Sequence, residues 1–136
     1  MSSIDEILER FEITEMLNRY ANAIDQGLWD VLDTIFTPDA PIDYTAMGGV
    51  ALPFPEMKAW LQKTIAGVPG RMHLLSNIMV TLNADGSASS TAYLFNAMAF
   101  SPEMTMLIGG KYCDDLVKTP EGWRISKRRL EMVWKT

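Results

Sequence analysis

His73 is the only histidine among the 136 residues of the chain, and it is the side chain best suited to acid–base chemistry. An imidazole titrates near neutral pH, so it can take up and release a proton within one reaction cycle. A carboxylate that accepts the proton on Nδ1 fixes the tautomer and leaves Nε2 as a base, and Asp25 is a candidate for that partner. Spacing along the chain does not show whether His73 and Asp25 meet. A lone histidine is also a common structural residue, so both interpretations stay open at this point.

Few other chemistries are available to this chain. One histidine and one cysteine, Cys113, cannot supply a multi-histidine or a cysteine-based metal site. Cys113 lies in a predicted strand, where a cysteine is typically a small buried residue. The pair Gly109–Gly110 lacks the spacing and the strand-to-helix setting of a phosphate-binding loop. We therefore expect a reaction that uses no metal and no cofactor.

Two polar side chains in the second half of the chain are further candidates. Asn96 lies in the middle of a predicted strand and points either into a pocket or to solvent. Arg129 ends the basic run Lys127–Arg129, in which strand alternation places Arg128 on the face opposite its neighbours. A solvated strand face explains part of this run equally well.

The elements that must position these groups are of two kinds. Residues 3–66 predict helices, with a capping box at Ser3 and Glu6 and an apolar stripe that starts at Ile4 and continues along the first helix. Gly27 marks the end of that helix, which would free Asp25 to turn inward. Two shorter helices are expected over residues 28–36 and 55–66.

Residues 71–134 predict strands. Turn-forming residues separate four long runs, at residues 72–82, 87–100, 104–118 and 123–134. Long strands joined by short turns favour an antiparallel meander that twists strongly. Helices followed by strands indicate an α+β fold, in which three helices on one face of a curled sheet enclose a space for a small molecule.

Length and charge narrow the class of protein. A chain of 136 residues predicts a single domain over residues 1–136. The net charge of −5 argues against nucleic acid as the partner, because phosphate binding depends on clustered basic residues. No apolar run is long enough to span a membrane, and the N-terminus lacks the features of a signal peptide. We therefore expect a cytoplasmic protein.

Four segments resemble the SnoaL-like group of the nuclear-transport-factor-2-like superfamily, and the similarity extends over about residues 4–134. They are Leu17–Leu32, Phe36–Ala40, Ile108–Asp115 and Gly122–Ser126. The resemblance implies a cone-shaped α+β fold, with three N-terminal helices packed on a strongly curved antiparallel sheet that encloses a pocket. That fold hosts dehydratases, isomerases, cyclases and non-enzymatic subunits.

Within the superfamily the chain is most similar to the dehydratase-like branch, which includes scytalone dehydratase, bile acid 7α-dehydratase and hexachlorocyclohexane dehydrochlorinase. This resemblance implies that His73 and Asp25 form a catalytic dyad. It also implies that Tyr20 and Tyr44 hydrogen-bond the substrate and that Arg129 stabilises developing negative charge.

These implications predict a lyase that eliminates water from a hydroxylated, cyclic small molecule without a cofactor. An isomerase or a polyketide-type cyclase with the same acid–base pair is the main alternative. A non-catalytic binding or assembly subunit is the alternative from another class. Because long apolar strands exceed what three helices can cover, we also expect a homo-oligomer. The resemblance to the dehydratase-like branch implies a trimer before a dimer.

Overall fold

A computed structural model describes residues 2–136, and its helices come mostly from the first half of the chain. There are two α-helices, α1 (Ser3–Gln26) and α2 (Phe54–Ile65), and two short 3-10 helices, Trp29–Thr34 and Thr45–Met47. The strands are β1 (Pro41–Asp43), β2 (Ala51–Pro53), β3 (Gly70–Leu82), β4 (Ala88–Ser101), β5 (Met104–Thr119) and β6 (Gly122–Lys135). The helix expected at residues 28–36 is therefore a shorter 3-10 helix.

The six strands form one sheet in the order β2-β1-β6-β5-β4-β3. The four long strands pair with their sequence neighbours as the predicted antiparallel meander. The short strand β1 adds a parallel pairing with β6, which makes the sheet mixed rather than wholly antiparallel. The α+β class is confirmed, and the sheet is curved and unclosed.

The first helix buries one face and exposes the opposite one. Its N-cap is Ser2 rather than the expected Ser3. In this capping box the Ser2 hydroxyl accepts from the backbone N–H of Asp5, and the Asp5 carboxylate accepts from the backbone N–H of Ser2. The buried face is formed by Ile13, Met16, Leu17, Tyr20 and Ile24. The residues expected to begin the same stripe are solvent-exposed instead, namely Ile4, Ile7, Leu8 and Phe11. At 3.6 residues per turn they lie about half a turn from the buried face, so the single predicted stripe is two stripes.

A bulge in β3 changes which residues face the helices. Pairing with β4 shifts register between Ser76 and Met79, and Asn77 has a positive φ of 52°. Before the bulge the odd-numbered His73 and Leu75 point inward. After it the even-numbered Ile78, Val80 and Leu82 pack on the core, while Met79 is exposed. One extra residue thus reverses the two faces of the strand.

No helix within residues 2–136 has both the length and the apolar character that crossing a membrane requires.

Candidate active site

A cavity of about 210 Å³ lies between the helices and the inner face of the sheet. Helix α2 contributes the side chains of Trp60, Leu61 and Ile65 to its wall. Six polar side chains also line it, from α1, from the segment after β1, from α2 and from three of the long strands: Tyr20, Tyr44, Thr64, His73, Asn96 and Tyr112. The cavity is thus largely apolar with a few polar groups at defined places, which is typical of small-molecule sites.

The structure brings His73 and Asp25 together across 48 residues of sequence. Nδ1 of His73 donates to Oδ1 of Asp25 over 2.6 Å, and the backbone N–H of His73 donates to Oδ2 over 2.9 Å. One carboxylate therefore holds both the ring and the backbone of the same residue. Because an ionised carboxylate only accepts, the proton resides on Nδ1, and Nε2 is left as the basic atom of a ring that lines the cavity.

The end of α1 places the Asp25 carboxylate. Gly27 caps the helix in the left-handed conformation with φ of 71°, as the sequence predicted, so the chain leaves the helix just after Asp25. Arg71 of β3 donates to the carbonyl of Asp25 and also to the carbonyls of Ile65 and Ala66. The Arg71 guanidinium thereby ties the C-terminal ends of both α-helices to the strand that carries His73. The positive charge of Arg71 at these carbonyl groups also interacts favourably with the negative ends of the two helix dipoles.

Two tyrosines meet at the other end of the cavity. The hydroxyls of Tyr20 and Tyr44 are 2.7 Å apart and share a hydrogen bond, and both side chains are buried. Tyr112 lies against the Tyr20 ring edge-on, with 5.9 Å between the ring centres. Burial raises the pKa values of Tyr20, Tyr44 and Tyr112 well above the ordinary value for a tyrosine. All three therefore stay protonated and can donate hydrogen bonds.

A buried ion pair outside the cavity packs against the tyrosine rings. Arg128 donates to both carboxylate oxygens of Asp114, over 2.8 and 2.9 Å, and neither residue lines the cavity. The guanidinium carbon lies 3.9 Å from the centre of the Tyr112 ring and 4.4 Å from that of Tyr20. Burial raises the pKa of the Asp114 carboxyl, while the Arg128 charge opposes that rise. Nη1 of Arg128 is buried without a hydrogen-bond partner among residues 2–136, and the guanidinium as a whole packs against the aromatic rings.

Arg129 does not lie in the cavity, which corrects the expectation that it meets the substrate there. Its side chain is about half exposed and pairs with Glu131 at 2.6 Å. The inward residues at the start of β6 are the odd-numbered Trp123 and Ile125, and the same alternation would carry Arg129 inward. A register shift opposite Asp115 and Leu116 adds one residue to β6, so that Arg128 points inward instead.

Asn96 lies in the cavity wall directly opposite His73 on the neighbouring strand. It is buried, and its Oδ1 has no hydrogen-bond partner within residues 2–136. Of the two orientations that the sequence left open, the structure has the inward one. The Asn96 side chain is thus part of the polar lining of the cavity.

Sequence reasoning missed three residues of the site: Tyr112, which lines the cavity, and Arg71 and Asp114, which support it from outside. Arg71 carries no sequence signal beyond its position two residues before His73. Tyr112, Asp114 and the buried Leu116 occupy every second position of β5. That two-residue period could have placed all three on the inner face. No three His, Cys, Asp or Glu side chains in the described part of the chain lie close enough to share a metal ion.

The outer face of the sheet carries exposed apolar side chains. Phe95 and Trp134 contact one another there with 5.6 Å between ring centres, and Leu74 pairs with Phe95 on the next strand. Trp134 lies over Gly109, where any Cβ atom would collide with the indole. The expected homo-oligomer stays a prediction, and this face is the surface on which it would be tested.

Comparison with known proteins identifies the family to which the chain belongs. The sequence profile of the SnoaL-like domain matches residues 5–129. The chain is 43% identical over 130 residues to the uncharacterized protein Rv2910c of Mycobacterium tuberculosis, covering 94% of this chain and 88% of that protein. The uncharacterized protein Mb2934c of Mycobacterium bovis matches with the same identity and coverage.

Solved structures share the architecture. A candidate scytalone dehydratase from Novosphingobium aromaticivorans superposes with a TM-score of 0.88 at 21% identity, covering 99% of this chain and 91% of that one. A hexachlorocyclohexane dehydrochlorinase, LinA-type3 of Novosphingobium barchaimii, gives a TM-score of 0.82 at 17% identity, covering 99% and 93%. The Kfla4162 protein of Kribbella flavida gives 0.87 at 23% identity, covering 96% and 95%. At these identities the likeness establishes the fold alone.

Proposed function

The chain belongs to the SnoaL-like domain family, and from that membership we propose that it is a lyase that eliminates water from a hydroxylated ring compound without a cofactor. The observation that carries the proposal is the double hold of Asp25 on His73, through the ring and through the backbone. The carboxylate keeps the ring in the tautomer with a basic Nε2, and the ring lines the cavity. This is the arrangement that a general base requires.

The dyad would perform the proton transfers. Nε2 of His73 takes a proton from a substrate carbon, and the electron pair of that C–H bond forms a double bond to the neighbouring carbon as its C–O bond breaks. The imidazolium then gives the proton to the departing hydroxyl, so that water leaves and His73 is neutral again. Asp25 stabilises the imidazolium in between and keeps the ring oriented.

The tyrosines would stabilise the charge that develops away from the base. The hydroxyl pair of Tyr20 and Tyr44 lies in the cavity wall and can donate to a carbonyl oxygen or to the leaving oxygen. Arg128, held by Asp114 beneath the rings, is a positioning residue because it does not line the cavity. Its positive charge strengthens the Tyr20 hydroxyl as a donor without being exposed to the substrate. The scytalone dehydratase-like and dehydrochlorinase structures of the same fold are consistent with elimination chemistry.

A turnover screen with mass detection tests the proposal. Hydroxylated cyclohexane-type, phenolic-ketone and steroid compounds would be incubated with the protein and with its His73→Ala variant. A product lighter by one water that the variant fails to form supports a lyase. A product of unchanged mass that depends on His73 would identify the isomerase or cyclase alternative. If the two proteins gave identical mixtures for every compound, the binding-subunit alternative would replace the proposal.

A further inference from the structure

The guanidinium of Arg71 bonds to the ends of both α-helices but does not line the cavity. Nε and Nη2 both donate to the carbonyl of Asp25, over 3.2 and 3.0 Å, at the end of α1. Nη1 donates to the carbonyls of Ile65 and Ala66, over 3.0 and 3.2 Å, at the end of α2. All three guanidinium nitrogens thus bind backbone carbonyls at helix ends.

Strand β3 therefore holds Asp25 at two points. Arg71 binds its backbone carbonyl, and His73, two residues further along the strand, donates its backbone N–H and Nδ1 to the carboxylate. A Cβ atom at Gly27 would lie 3.4 Å from Nη2, so the guanidinium also packs against the residue that caps α1. The carbonyls of a last helical turn have no partner within the helix, and such turns fray. The position of the carboxylate thus depends on a turn that Arg71 keeps ordered.

Helix α2 gives the guanidinium a fixed anchor. The bonds to Ile65 and Ala66 immobilise a side chain that would otherwise keep considerable rotamer freedom. The helix itself is held in the core by three buried apolar side chains, Phe54, Met57 and Leu61. The core therefore sets the position of the guanidinium. Precise placement matters in an acid–base pair, because a displacement of about 1 Å can lower a rate about a hundredfold.

Building on the proposed lyase activity, we propose that Arg71 is a positioning residue that acts through Asp25. It fixes the end of α1 so that the Asp25 carboxylate meets Nδ1 of His73, and it touches no substrate. The planar fork is essential to this role, because its donors reach both helix ends at once. A lysine ammonium is a single compact centre on a flexible stem and cannot do so.

Hydrogen exchange measures the hold on Asp25 without turnover. His73 is the only histidine, so protein made without a histidine tag and labelled with ¹⁵N in histidine gives the signals of this residue alone. Its backbone N–H lies on the edge strand of the sheet and donates to Asp25, so its exchange with solvent reports on that bond. In Arg71→Met the backbone N–H and the Nδ1 proton should both exchange about tenfold faster, because the last turn of α1 opens more often.

Two further variants assign the effect to the fork of Arg71. Arg10→Met is the matched control, since Arg10 also joins α1 to β3, through the carbonyl of Val80, but near the opposite end of the helix. That variant removes the same charge from the same pair of elements and should keep the wild-type exchange rates of His73. Arg71→Lys keeps the charge without the fork, and its exchange rates should be close to those of Arg71→Met.

Turnover of the substrate found by the screen gives a second readout. Arg71→Met should lower kcat by about ten- to a hundredfold and change KM by less than about threefold, because Arg71 does not touch the substrate. In an Asp25→Asn background the same substitution should lower kcat by less than about twofold further, because its effect passes through the carboxylate that is already lost.

Several outcomes would overturn the inference. These are wild-type exchange of both His73 protons in Arg71→Met or in Arg71→Lys, and an equal acceleration in Arg10→Met, which would indicate a general loss of α1 packing. Full additivity of Arg71→Met with Asp25→Asn in kcat would also overturn it. Because exchange is measured without substrate, the positioning role can fail while the lyase activity stands, and it can hold where elimination is absent.

Discussion

At each end of the cavity a carboxylate binds a basic side chain, but the two pairs differ in burial and in what the basic group can do. At the dyad end Asp25 holds His73, and at the tyrosine end Asp114 holds Arg128. The side chain of Asp25 is 21% exposed and its partner lines the cavity, whereas the side chains of Asp114 and Arg128 are 1% and 0% exposed. A histidine can gain and lose a proton near neutral pH and an arginine cannot. The first pair therefore suits the proposed proton transfer, whereas the second provides a fixed positive charge next to the tyrosine rings.

The largest expected effect is on turnover at the dyad end. His73→Ala should lower kcat by roughly a hundredfold to ten-thousandfold, the usual contribution of a general base. Asp25→Asn should be nearly as damaging, since an asparagine amide would donate to Nδ1 and leave the proton on Nε2. The double variant should be little worse than the worse single one, because the two residues act as a unit. Steady-state kinetics on the substrate found by the screen would measure this, and full activity in His73→Ala would contradict it.

At the tyrosine end the main expected effect is on stability. Arg128→Met should lower the free energy of unfolding by about 3–5 kcal/mol, because Asp114 is left as an unpaired buried charge. Combining it with Asp114→Leu should recover most of that loss, since an apolar pair removes the charge altogether. Urea unfolding measures both, with Asp25→Asn as the comparison from the more exposed end. A loss below about 1 kcal/mol in Arg128→Met would show that the two pairs do not differ in this way.

The tyrosine hydroxyls should contribute less to turnover than the dyad. Tyr20→Phe and Tyr44→Phe each remove one hydrogen bond and no proton-transfer group, so kcat should fall by about tenfold. Because burial raises the pKa of both tyrosines, they keep their protons at alkaline pH, and no alkaline loss of rate should arise from them below about pH 10. A pH–rate profile from 5 to 10 checks this, and an alkaline limb that vanishes in Tyr44→Phe would contradict it.

The smallest expected effect belongs to the neighbouring arginine. Arg129→Ala should change kcat by less than about twofold and stability by less than about 0.5 kcal/mol, because Arg129 is exposed and forms a surface ion pair with Glu131. Arg128→Met in the same assay is the contrast, one residue away on the opposite face. A tenfold loss of kcat in Arg129→Ala would mean that its side chain reaches the substrate after all.

Much of this architecture could be predicted from local signals. The four long strands are bounded by turn residues within one to two positions of their observed ends, and Gly27 ends α1 as expected. Turns and caps depend on residues that are adjacent in sequence, so single residues such as glycine and proline mark them reliably. The lone histidine is also evident from the sequence as the candidate general base, and the structure confirms its place early in a strand.

The tertiary structure decided which of the candidates meet. Asp25 reaches His73 only because α1 packs on β3, a contact that depends on the whole arrangement rather than on spacing. The bulge in β6 exchanged Arg129 for Arg128 at the inner face, and the bulge in β3 exposed Met79. Strand faces alternate with a period of two, so a single inserted residue reverses every later side chain. Such an insertion becomes visible only in the pairing with a neighbouring strand, and the sequence of one strand does not contain it.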